Sequence, residues 1–566
     1  MTALAGVAVP TIAQRLAHHA ATRPADIAFR FVGRHATEAR SVSWGALHDE
    51  ARRIAGALAG LVGRPVVILC PDPRDFVAAL SGCLVAGAVA VPVPGNATRR
   101  AAGRIRSIVE TARPAALIAP EATLGQPWMH ELLATLAVTP LPFEALGSVP
   151  PAPVAPDGEE DRPALMQFTS GSTGTPRGVL LSAGNLAANA AAIVEAYGLS
   201  AATRGFSWLP LHHDMGLVGH ILTPLWIGCR STIMDPLLFL QSPLRWLRRV
   251  GEERATITSA PNFAYQLCIK AVVGADLSDI DLSSLTAAVC GGEPVWPETA
   301  EAFSTLFAAC GFDPGAFAPS YGLAEATLLV SSGRRPGGPL QFLGTVSDAD
   351  GPGGRTEVRA MRLGPPVRGT TVRILDAEAR PLPEDSIGEI EISGASVGRP
   401  APDEPGEAPS GHVLTGDLGF LHGGELVVTG RRKELMILRG ANVFPADAEA
   451  AAIVAEPGIS PAGIAAFGVV TDGTEEMFVA FEVRAAMERE AFAALGRRLN
   501  DAIGRATGHV PAVVLAVPAG SLPRTTSGKI RRGELGTLCA RRALVVYNAT
   551  DGSFIGEGSG TGGSRS

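Results

Sequence analysis

The chain alternates between two spacings of apolar residues. Residues 12–19 and 44–61 repeat apolar side chains with the period of a helix, whereas 65–69 is a short apolar run typical of a buried strand. A second helix and strand are predicted at 75–85 and 88–93. Helices that alternate with short β-branched strands indicate an α/β fold with mostly parallel sheets.

Later parts of the chain predict two smaller structures. The strands 372–375 and 388–392 indicate a small further sheet or barrel. The pattern then changes to a compact α+β unit, whose predicted elements cover 447–454, 464–470, 477–483 and 488–502.

Two or more domains are expected from a chain of 566 residues. We predict a large N-terminal α/β domain of mixed or parallel sheets flanked by helices, with a small barrel-like sheet, at 1–430. A smaller, mobile α+β C-terminal domain is predicted at 431–545, and a flexible Gly/Ser-rich tail at 546–566.

Composition narrows the possible partners and location. A formal net charge of −7 argues against nucleic acid as a partner. The longest apolar run, 78–94, is interrupted by Ser81 and ends in prolines, so it predicts a core helix and strand and no membrane span. The N-terminus has no signal-peptide pattern, and the seven cysteines form no C-x-x-C pair. A cytoplasmic protein with reduced thiols is therefore expected.

The basic residues are strongly biased toward arginine. Only three of the 48 are lysines, namely Lys270, Lys433 and Lys529. The bias itself is explained more simply by coding preference than by function. A lysine kept against it is a candidate for a site that needs an ammonium group, although chance survival is the alternative.

The stretch Thr169–Val179, which reads TSGSTGTPRGV, has the composition of an anion-binding loop. Its glycines and hydroxyl side chains allow successive backbone N–H groups to surround an anion, and Arg177 adds a positive charge. Apolar runs at 164–168 and 178–181 predict a strand–loop–strand hairpin. The loop has neither the Gly-Lys-Ser/Thr of a Walker A loop nor the G-x-G-x-x-G of a Rossmann helix. A polar surface turn is the alternative, but this order of residues favours a polyphosphate site.

The loop resembles the signature phosphate loop of the adenylate-forming superfamily, which includes acyl-CoA synthetases, luciferases and nonribosomal adenylation domains. Those enzymes usually have Lys where this chain has Arg177. The positive charge is kept, but a planar guanidinium group replaces a compact ammonium group. Further motifs follow in the family's order over about residues 10–540. HHDMGL at 212–217, FLQ-x-P-x-RWL at 239–247 and SAPNFA at 259–264 look like those of the fatty acyl-AMP ligases.

The resemblance implies an ATP site. The family assigns CGGEP at 290–294 to the adenine pocket, Tyr321 of YGLAEAT to stacking on the base, and Asp417 of TGDLG to the ribose hydroxyls. Arg431 matches an arginine that contacts ribose and phosphate. The implied nucleotide-binding residues are Thr169, Ser170, Gly171, Ser172, Thr173, Gly174, Arg177, Gly291, Gly292, Glu293, Pro294, Ser320, Tyr321, Gly322, Ala324, Asp417 and Arg431.

The resemblance also implies catalytic groups. Lys529 would bridge the substrate carboxylate and the α-phosphate, and His213 would border both. Glu325 and Thr173 would hold Mg²⁺, which prefers oxygen ligands. Lys433 matches the hinge before the mobile domain. The residues expected to contact the acid are Trp208, Leu211, His212, Asp214, Asn262 and Phe263.

Together these groups imply that ATP and Mg²⁺ activate a carboxylic acid, expected to be a fatty acid, as an acyl-adenylate. The acyl group would then pass to the phosphopantetheine of an acyl carrier protein in natural-product or lipid biosynthesis. A CoA ligase or an amino- or aryl-acid adenylating enzyme is the alternative. The family insertion credited with blocking coenzyme A is not clearly aligned in segment 334–364, which is rich in Gly, Pro and Arg and shows little periodicity.

An alternative hypothesis from a different functional class is a non-catalytic nucleotide-binding scaffold that docks a carrier protein. The retained Glu325, Asp417, Arg431 and Lys529 weigh against it, because a scaffold needs no catalytic lysine. Binding of ATP without release of pyrophosphate would support it.

Overall fold

A computed structural model gives the fold of the chain. It describes residues 10–33, 39–95, 102–154, 160–170, 176–348, 354–401, 411–438, 441–460, 463–471, 474–483, 489–524, 530–540, 546–548 and 554–555.

The described strands are β1 Ile27–Val32, β2 Ala39–Ser43, β3 Pro65–Ile68, β4 Val89–Pro92, β5 Ala116–Ala119, β6 Thr139–Pro142, β7 Pro163–Ser170, β8 Pro176–Ser182, β9 Arg204–Ser207, β10 Arg230–Met234, β11 Ile257–Ala260, β12 Ala287–Cys290, β13 Phe317–Gly322, β14 Leu329–Ser332, β15 Gln341–Asp348, β16 Arg355–Met361, β17 Thr370–Leu375, β18 Ser386–Gly394, β19 Arg399–Pro400, β20 His412–His422, β21 Glu425–Arg431, β22 Met436–Leu438, β23 Ala441–Val443, β24 Ile464–Thr471, β25 Thr474–Val483, β26 Val513–Pro518, β27 Val546–Asn548 and β28 Phe554–Ile555.

The described α-helices are α1 Ile12–Thr22, α2 Trp44–Ala57, α3 Pro73–Ala86, α4 Ala102–Ala112, α5 Glu121–Leu124, α6 Pro127–Leu136, α7 Phe143–Leu146, α8 Ala183–Tyr197, α9 Asp214–Leu217, α10 Thr223–Ile227, α11 Pro236–Gln241, α12 Pro243–Glu252, α13 Asn262–Ala271, α14 Pro297–Phe307, α15 Pro445–Ala455, α16 Arg489–Thr507 and α17 Arg532–Ala540. A π-helical turn covers Val218–Leu222, and 3₁₀ turns include Ala324–Ala326 and Arg432–Glu434.

Two large, mostly parallel sheets form the N-terminal part, which confirms the predicted α/β class. The first has the order β14-β13-β12-β11-β9-β10-β1-β2, with antiparallel strands only at its two edges. The second has the order β19-β8-β7-β4-β3-β5-β6, in which β8 pairs antiparallel with both of its neighbours, β7 and β19. In both sheets, ligand-binding loops are expected at the carboxyl ends of the parallel strands.

The main hydrophobic core lies between these two sheets. Helices α1, α2, α3 and α8 contribute buried side chains such as Leu16, Trp44 and Leu80, which join Phe29 of one sheet and Ile68 of the other in a single cluster. Helices α4 and α6 cover the outer face of the second sheet, and α11 to α14 cover that of the first. The helices predicted at 12–19, 44–61 and 75–85 are confirmed, although α2 ends at Ala57.

A third sheet follows, with the order β16-β15-β18-β20-β21 and with β17 paired to β18. The strands predicted at 372–375 and 388–392 are therefore confirmed as β17 and β18. Segment 334–364, in which the sequence shows little periodicity, contains β15 and β16, which pair antiparallel over seven residue pairs. Phe342 and Val346 of β15 and Val358 of β16 are buried in one hydrophobic cluster, as the alternation of side chains along a strand allows. The glycines and arginines of the same segment make this period-2 pattern hard to recognise in the sequence.

The C-terminal domain, residues 436–555, is built on the sheet β24-β25-β26-β27-β28. Helices α15 and α16 pack on one face of it, and α17 packs on the other. The expected flexible tail needs correction at five residues, because β27 pairs with β26 and β28 with β27. The backbone hydrogen bonds of these pairs extend the sheet into the predicted tail.

No helix within the described ranges is both long and apolar enough to cross a membrane.

Candidate active site

A large cavity of about 2030 Å³ lies where strand ends of the first sheet, the third sheet and the C-terminal domain meet. Most of the predicted site residues line it. They are Arg177, Asp214, Asn262, Phe263, Gly291, Gly292, Glu293, Pro294, Ser320, Tyr321, Gly322, Ala324, Glu325, Asp417, Arg431 and Lys433. The fold thus brings together residues spread over more than 250 positions of the chain.

The predicted strand–loop–strand hairpin is confirmed. Strands β7 and β8 pair antiparallel up to Thr169↔Arg177 and Ser170↔Pro176, which brings the two ends of the loop together. Arg177 is exposed at the cavity. Gly171, Ser172, Thr173 and Gly174 lie outside the described residues, as do the side chains of Thr169 and Ser170.

The proposed adenine pocket follows the carboxyl end of β12. Gly292 has a φ of +78°, a conformation that favours glycine. At the end of the neighbouring strand β13, a Cβ on Gly322 would lie 1.9 Å from the carbonyl oxygen of Leu328, so only glycine fits there. The Glu293 carboxylate accepts a 2.5 Å hydrogen bond from the backbone N–H of Phe263. These contacts explain why glycines and one acidic residue occupy the ends of β12 and β13 at the cavity.

Tyr321, Asp417 and Arg431 form one hydrogen-bonded group. The Tyr321 hydroxyl donates to Asp417 over 2.6 Å, and the Nε of Arg431 lies 2.9 Å from the other Asp417 oxygen. Asp417 is 5% exposed, and its charge raises the pKa of Arg431. Burial, followed by the Asp417 charge, raises the pKa of Tyr321 well above its usual value. The tyrosine is therefore a fixed neutral donor, and the carboxylate keeps free lone pairs for a ligand.

Glu325 lies on a short 3₁₀ turn after β13. Burial raises the pKa of its carboxyl, and the nearby Asp214 carboxylate raises it further. Two residues along, the buried Thr327 has a φ of +68°, which is strained for a β-branched residue, and its hydroxyl donates to the Ser396 carbonyl over 2.7 Å. The strained turn fixes the backbone that carries Glu325 at the cavity wall, and no sequence motif predicted this turn.

The two adjacent histidines differ in their surroundings. The rings of His212 and His213 are 4.3 Å apart, and His213 precedes the first turn of α9. Burial, with added effects of His213 and Arg104, lowers the pKa of His212 well below its usual value. The Nε2 of His212 is buried and has no hydrogen-bond partner within the described part of the chain. His212 is therefore a neutral side chain.

Trp208 and Leu211, which are predicted to contact the acid, pack against apolar side chains in this structure. Trp208 is 4% exposed and stacks on Phe239 with 3.8 Å between ring centroids. Leu211 packs against the core between the sheets. Trp208 directly follows β9, and successive residues of a strand alternate in direction, so the sequence could not show which side it would face.

Part of the cavity lining, here called the apolar recess, consists of apolar residues that sequence reasoning missed. Ile193 of α8, Gly219 of the π-helical turn, and Ile257 and Val289 of β11 and β12 line it together with Leu328. Of the predicted acid-contacting residues, Asp214 lines the same cavity, as do Asn262 and Phe263 at the start of α13. Apolar spacing marks such residues as core, and only the tertiary structure shows that they face a cavity.

A charged network lies beside the predicted hinge. Lys433 and Glu434 occupy a 3₁₀ turn after β21, and Arg532 at the start of α17 donates to Glu434 over 3.0 Å. Arg532 also makes two 2.8 Å bonds to Glu449, which is 6% exposed. Sequence reasoning missed this network because its members are up to 98 positions apart. Lys529 lies outside the described residues.

Within the described ranges, no group of three or more His, Cys, Asp or Glu side chains could hold a metal ion by itself.

A cavity lined by Arg177 of β8 and by the Asp417–Tyr321–Arg431 group is the arrangement expected of an adenylate-forming enzyme. The chain belongs to the AMP-binding enzyme family, which matches residues 16–400. It is an ATP-dependent acid ligase that forms an acyl-adenylate.

Similar proteins agree with this assignment. The medium-chain-fatty-acid–[acyl-carrier-protein] ligase JamA of Moorena producens is 32% identical, over 93% of this chain and 96% of that protein. A solved structure from a study of fatty acyl-adenylate ligases from E. coli and L. pneumophila is 30% identical and has a TM-score of 0.82, covering 93% and 97% of the two chains. The L. pneumophila fatty acyl-adenylate ligase in complex with acyl adenylate and pyrophosphate is 29% identical with a TM-score of 0.69, covering 96% and 98%.

Proposed function

We propose that this chain is a fatty acyl-AMP ligase that activates a fatty acid with ATP and then passes the acyl group to the phosphopantetheine thiol of an acyl carrier protein. The observation that carries the proposal is a single cavity that is lined both by the polar group Tyr321, Asp417 and Arg431 and by the apolar recess, which includes Gly219 and Leu328. The similarity to JamA, whose name includes a fatty acid and an acyl carrier protein, supports both the acid and the acceptor.

The first step has to bring two anions together. A carboxylate oxygen of the acid forms a bond to the α-phosphorus of ATP, and pyrophosphate leaves with the electrons of the broken P–O bond. The acyl group then carries AMP as its leaving group. Positive charge and alignment are what the enzyme must supply. Arg177 and Arg431 supply two positive charges at the cavity from two different sheets.

For the nucleotide, we propose that Asp417 accepts the ribose hydroxyls. Tyr321 and Arg431 already hold its two oxygens in place, so the carboxylate is oriented before a ligand binds. The remaining lone pairs are available to two hydroxyl donors. The glycines after β12 allow the flat adenine ring to approach the backbone.

The chemistry of Glu325 fits Mg²⁺. Glu325 lines the cavity with Asp214 nearby, and a divalent cation would offset both the burial and the Asp214 repulsion that raise the pKa of its carboxyl. Mg²⁺ binds one or two carboxylates together with substrate phosphates. Glu325 would hold the ion with Thr173, and the bound ion would neutralise charge on the phosphates.

Lys529 is proposed to neutralise the charge that develops between the carboxylate and the α-phosphate. The variant Lys529→Ala should lower the rate of adenylate formation by about 10²–10³-fold, as removal of an oxyanion-type donor does. Nucleotide affinity, measured by calorimetry, should change little. Undiminished adenylate formation would exclude Lys529 from catalysis.

The proposed function is tested by mass spectrometry of the products from straight-chain acids of increasing length with ATP and Mg²⁺. The reaction is run with and without coenzyme A. Acyl-AMP that persists in the presence of coenzyme A is the expected result. Conversion to acyl-CoA would assign the chain to the CoA ligases, and ATP binding without any adenylate would support a scaffold.

A further inference from the structure

A polar contact joins the two domains at a residue that the motifs did not include. Lys270, in the last turn of α13, donates from Nζ to the backbone carbonyl of Ile459 over 2.7 Å. The two residues are 189 positions apart. Ile459 is 5% exposed and belongs to the hydrophobic core of the C-terminal domain. A charged donor on an N-terminal helix therefore binds directly to the core of the other domain.

Helix α13 connects this contact to the active site. Its first residues, Asn262 and Phe263, line the cavity, and Lys270 lies eight residues later, about 12 Å along the helix axis. The buried Tyr265 and Cys268 fix the helix in the core between these points. The donor therefore has a defined position relative to the cavity.

The contact is made in one particular orientation of the C-terminal domain. Arg524 and Ile530 of that domain line the same cavity as Glu325 and Asp417. These two residues pair in an isolated antiparallel bridge, and the segment between them contains Lys529. This orientation brings both ends of that segment to the nucleotide site.

We propose that Lys270 is a positioning residue that holds the C-terminal domain in the orientation used for adenylate formation. The inference rests on the proposed function, since it requires an enzyme with two separable half-reactions. A bond made in only one of two orientations shifts their populations by its differential free energy. Lys270 contacts the C-terminal domain and not the reacting atoms, so its loss should change how often the productive orientation forms and leave substrate contacts intact.

The test uses the full chain with Lys270→Met, which keeps the apolar stem and removes the donor. Adenylate formation is measured by ATP–pyrophosphate exchange, and the second half-reaction by transfer from purified acyl-AMP to pantetheine. We expect kcat for exchange to fall roughly threefold to tenfold, the range for one partly exposed charged hydrogen bond. KM values for ATP and acid should stay within twofold, and transfer should be unchanged or faster.

Two further variants make the result specific. Lys270→Arg keeps a charged donor and should restore most of the exchange rate. Arg64→Met removes an exposed cation before β3 and should leave both half-reactions unchanged. Two results would overturn the positioning role. One is an exchange rate of Lys270→Met equal to that of the unmodified chain, and the other is a parallel loss of both half-reactions in this variant. If the unmodified chain forms no adenylate from any acid, the proposed function itself fails, and this is seen before any variant is made.

Discussion

At the scale of single residues, Gly219 lines the apolar recess beside the side chain of Leu328. A Cβ built on it would lie 3.7 Å from Leu328 Cδ2, an ordinary van der Waals distance, so a larger side chain fits the backbone but fills the recess. We expect Gly219→Val to lower kcat/KM at least tenfold for the best long acid, because one methylene in such a pocket changes selectivity 10–200-fold. Shorter acids should be nearly unaffected.

The measurement is kcat/KM across a series of straight-chain acids. Gly103→Val, on the exposed face of α4 with open space around it, is the matched control and should not change the profile. An equal loss for every chain length would mean that Gly219 does not face the acyl chain.

A second residue-scale effect concerns stability in acid. His220 is 1% exposed, its Nε2 lies 2.8 Å from the Ser259 hydroxyl, and burial lowers its pKa to about 4. Between pH 6.5 and about 4 the unfolded chain binds a proton that the folded chain does not. Neutral His220 therefore makes its full contribution to the free energy of unfolding above pH 6.5. This contribution is lost as the pH falls toward 4, by roughly 3 kcal/mol at most.

This effect is measured as the pH dependence of the free energy of unfolding. His220→Gln should reduce the slope between pH 4 and 6.5 by about one proton, while the exposed His130→Gln should not. The remaining slope includes His19, whose pKa burial also lowers to about 4. An unchanged slope in His220→Gln would show that His220 is not held neutral.

At the scale of elements, Arg532 joins α17 to α15 and to the hinge turn. Its bonds to Glu449 are buried, whereas Glu434 is more exposed. We expect Arg532→Met to destabilise the C-terminal domain by about 3–5 kcal/mol, because it leaves the Glu449 charge buried without its partner. Glu434→Gln should cost no more than about 1 kcal/mol.

The double variant Arg532→Met with Glu449→Leu separates the lost pair from the unpaired charge. It should recover most of the stability in thermal unfolding, because no buried charge remains. Arg498→Met, which removes an exposed pair with Glu456, is the control and should have little effect. A double variant less stable than Arg532→Met would contradict this account.

Local elements and motif order could be predicted from the sequence, because they depend on short-range pattern. Period and turn chemistry gave the hairpin β7–β8 and the strand ends that carry Gly291 and Tyr321. Contacts between distant elements could not be predicted. Arg532–Glu434 and Lys270–Ile459 depend on how elements far apart in the chain pack together. The side of the sheet that Trp208 faces could not be predicted either. A buried strand has apolar residues on both faces, so its sequence does not show which face a given side chain lies on.

At the scale of the whole molecule, the proposed function requires the C-terminal domain to serve two half-reactions. In the described orientation the hinge turn is held from both sides, by Arg432 with Glu389 at 3.3 Å and by Glu434 with Arg532 at 3.0 Å. Rotation would have to change the backbone angles near Lys433, which lies between them. Lid-type rotation of this kind commonly limits turnover.

The variant Lys433→Pro restricts φ at this point and removes a backbone N–H. If the orientation in the structure is the one that forms the adenylate, the first half-reaction should be retained within a fewfold, because no rotation precedes it. Transfer of the acyl group should fall by at least tenfold, because it follows the rotation. Lys433→Ala, which removes the side chain but keeps the backbone free, is the control and should allow transfer. Burst kinetics measure both steps in one experiment: a full burst of pyrophosphate followed by slow turnover is expected, whereas equal loss of burst and turnover would argue against a hinge at Lys433.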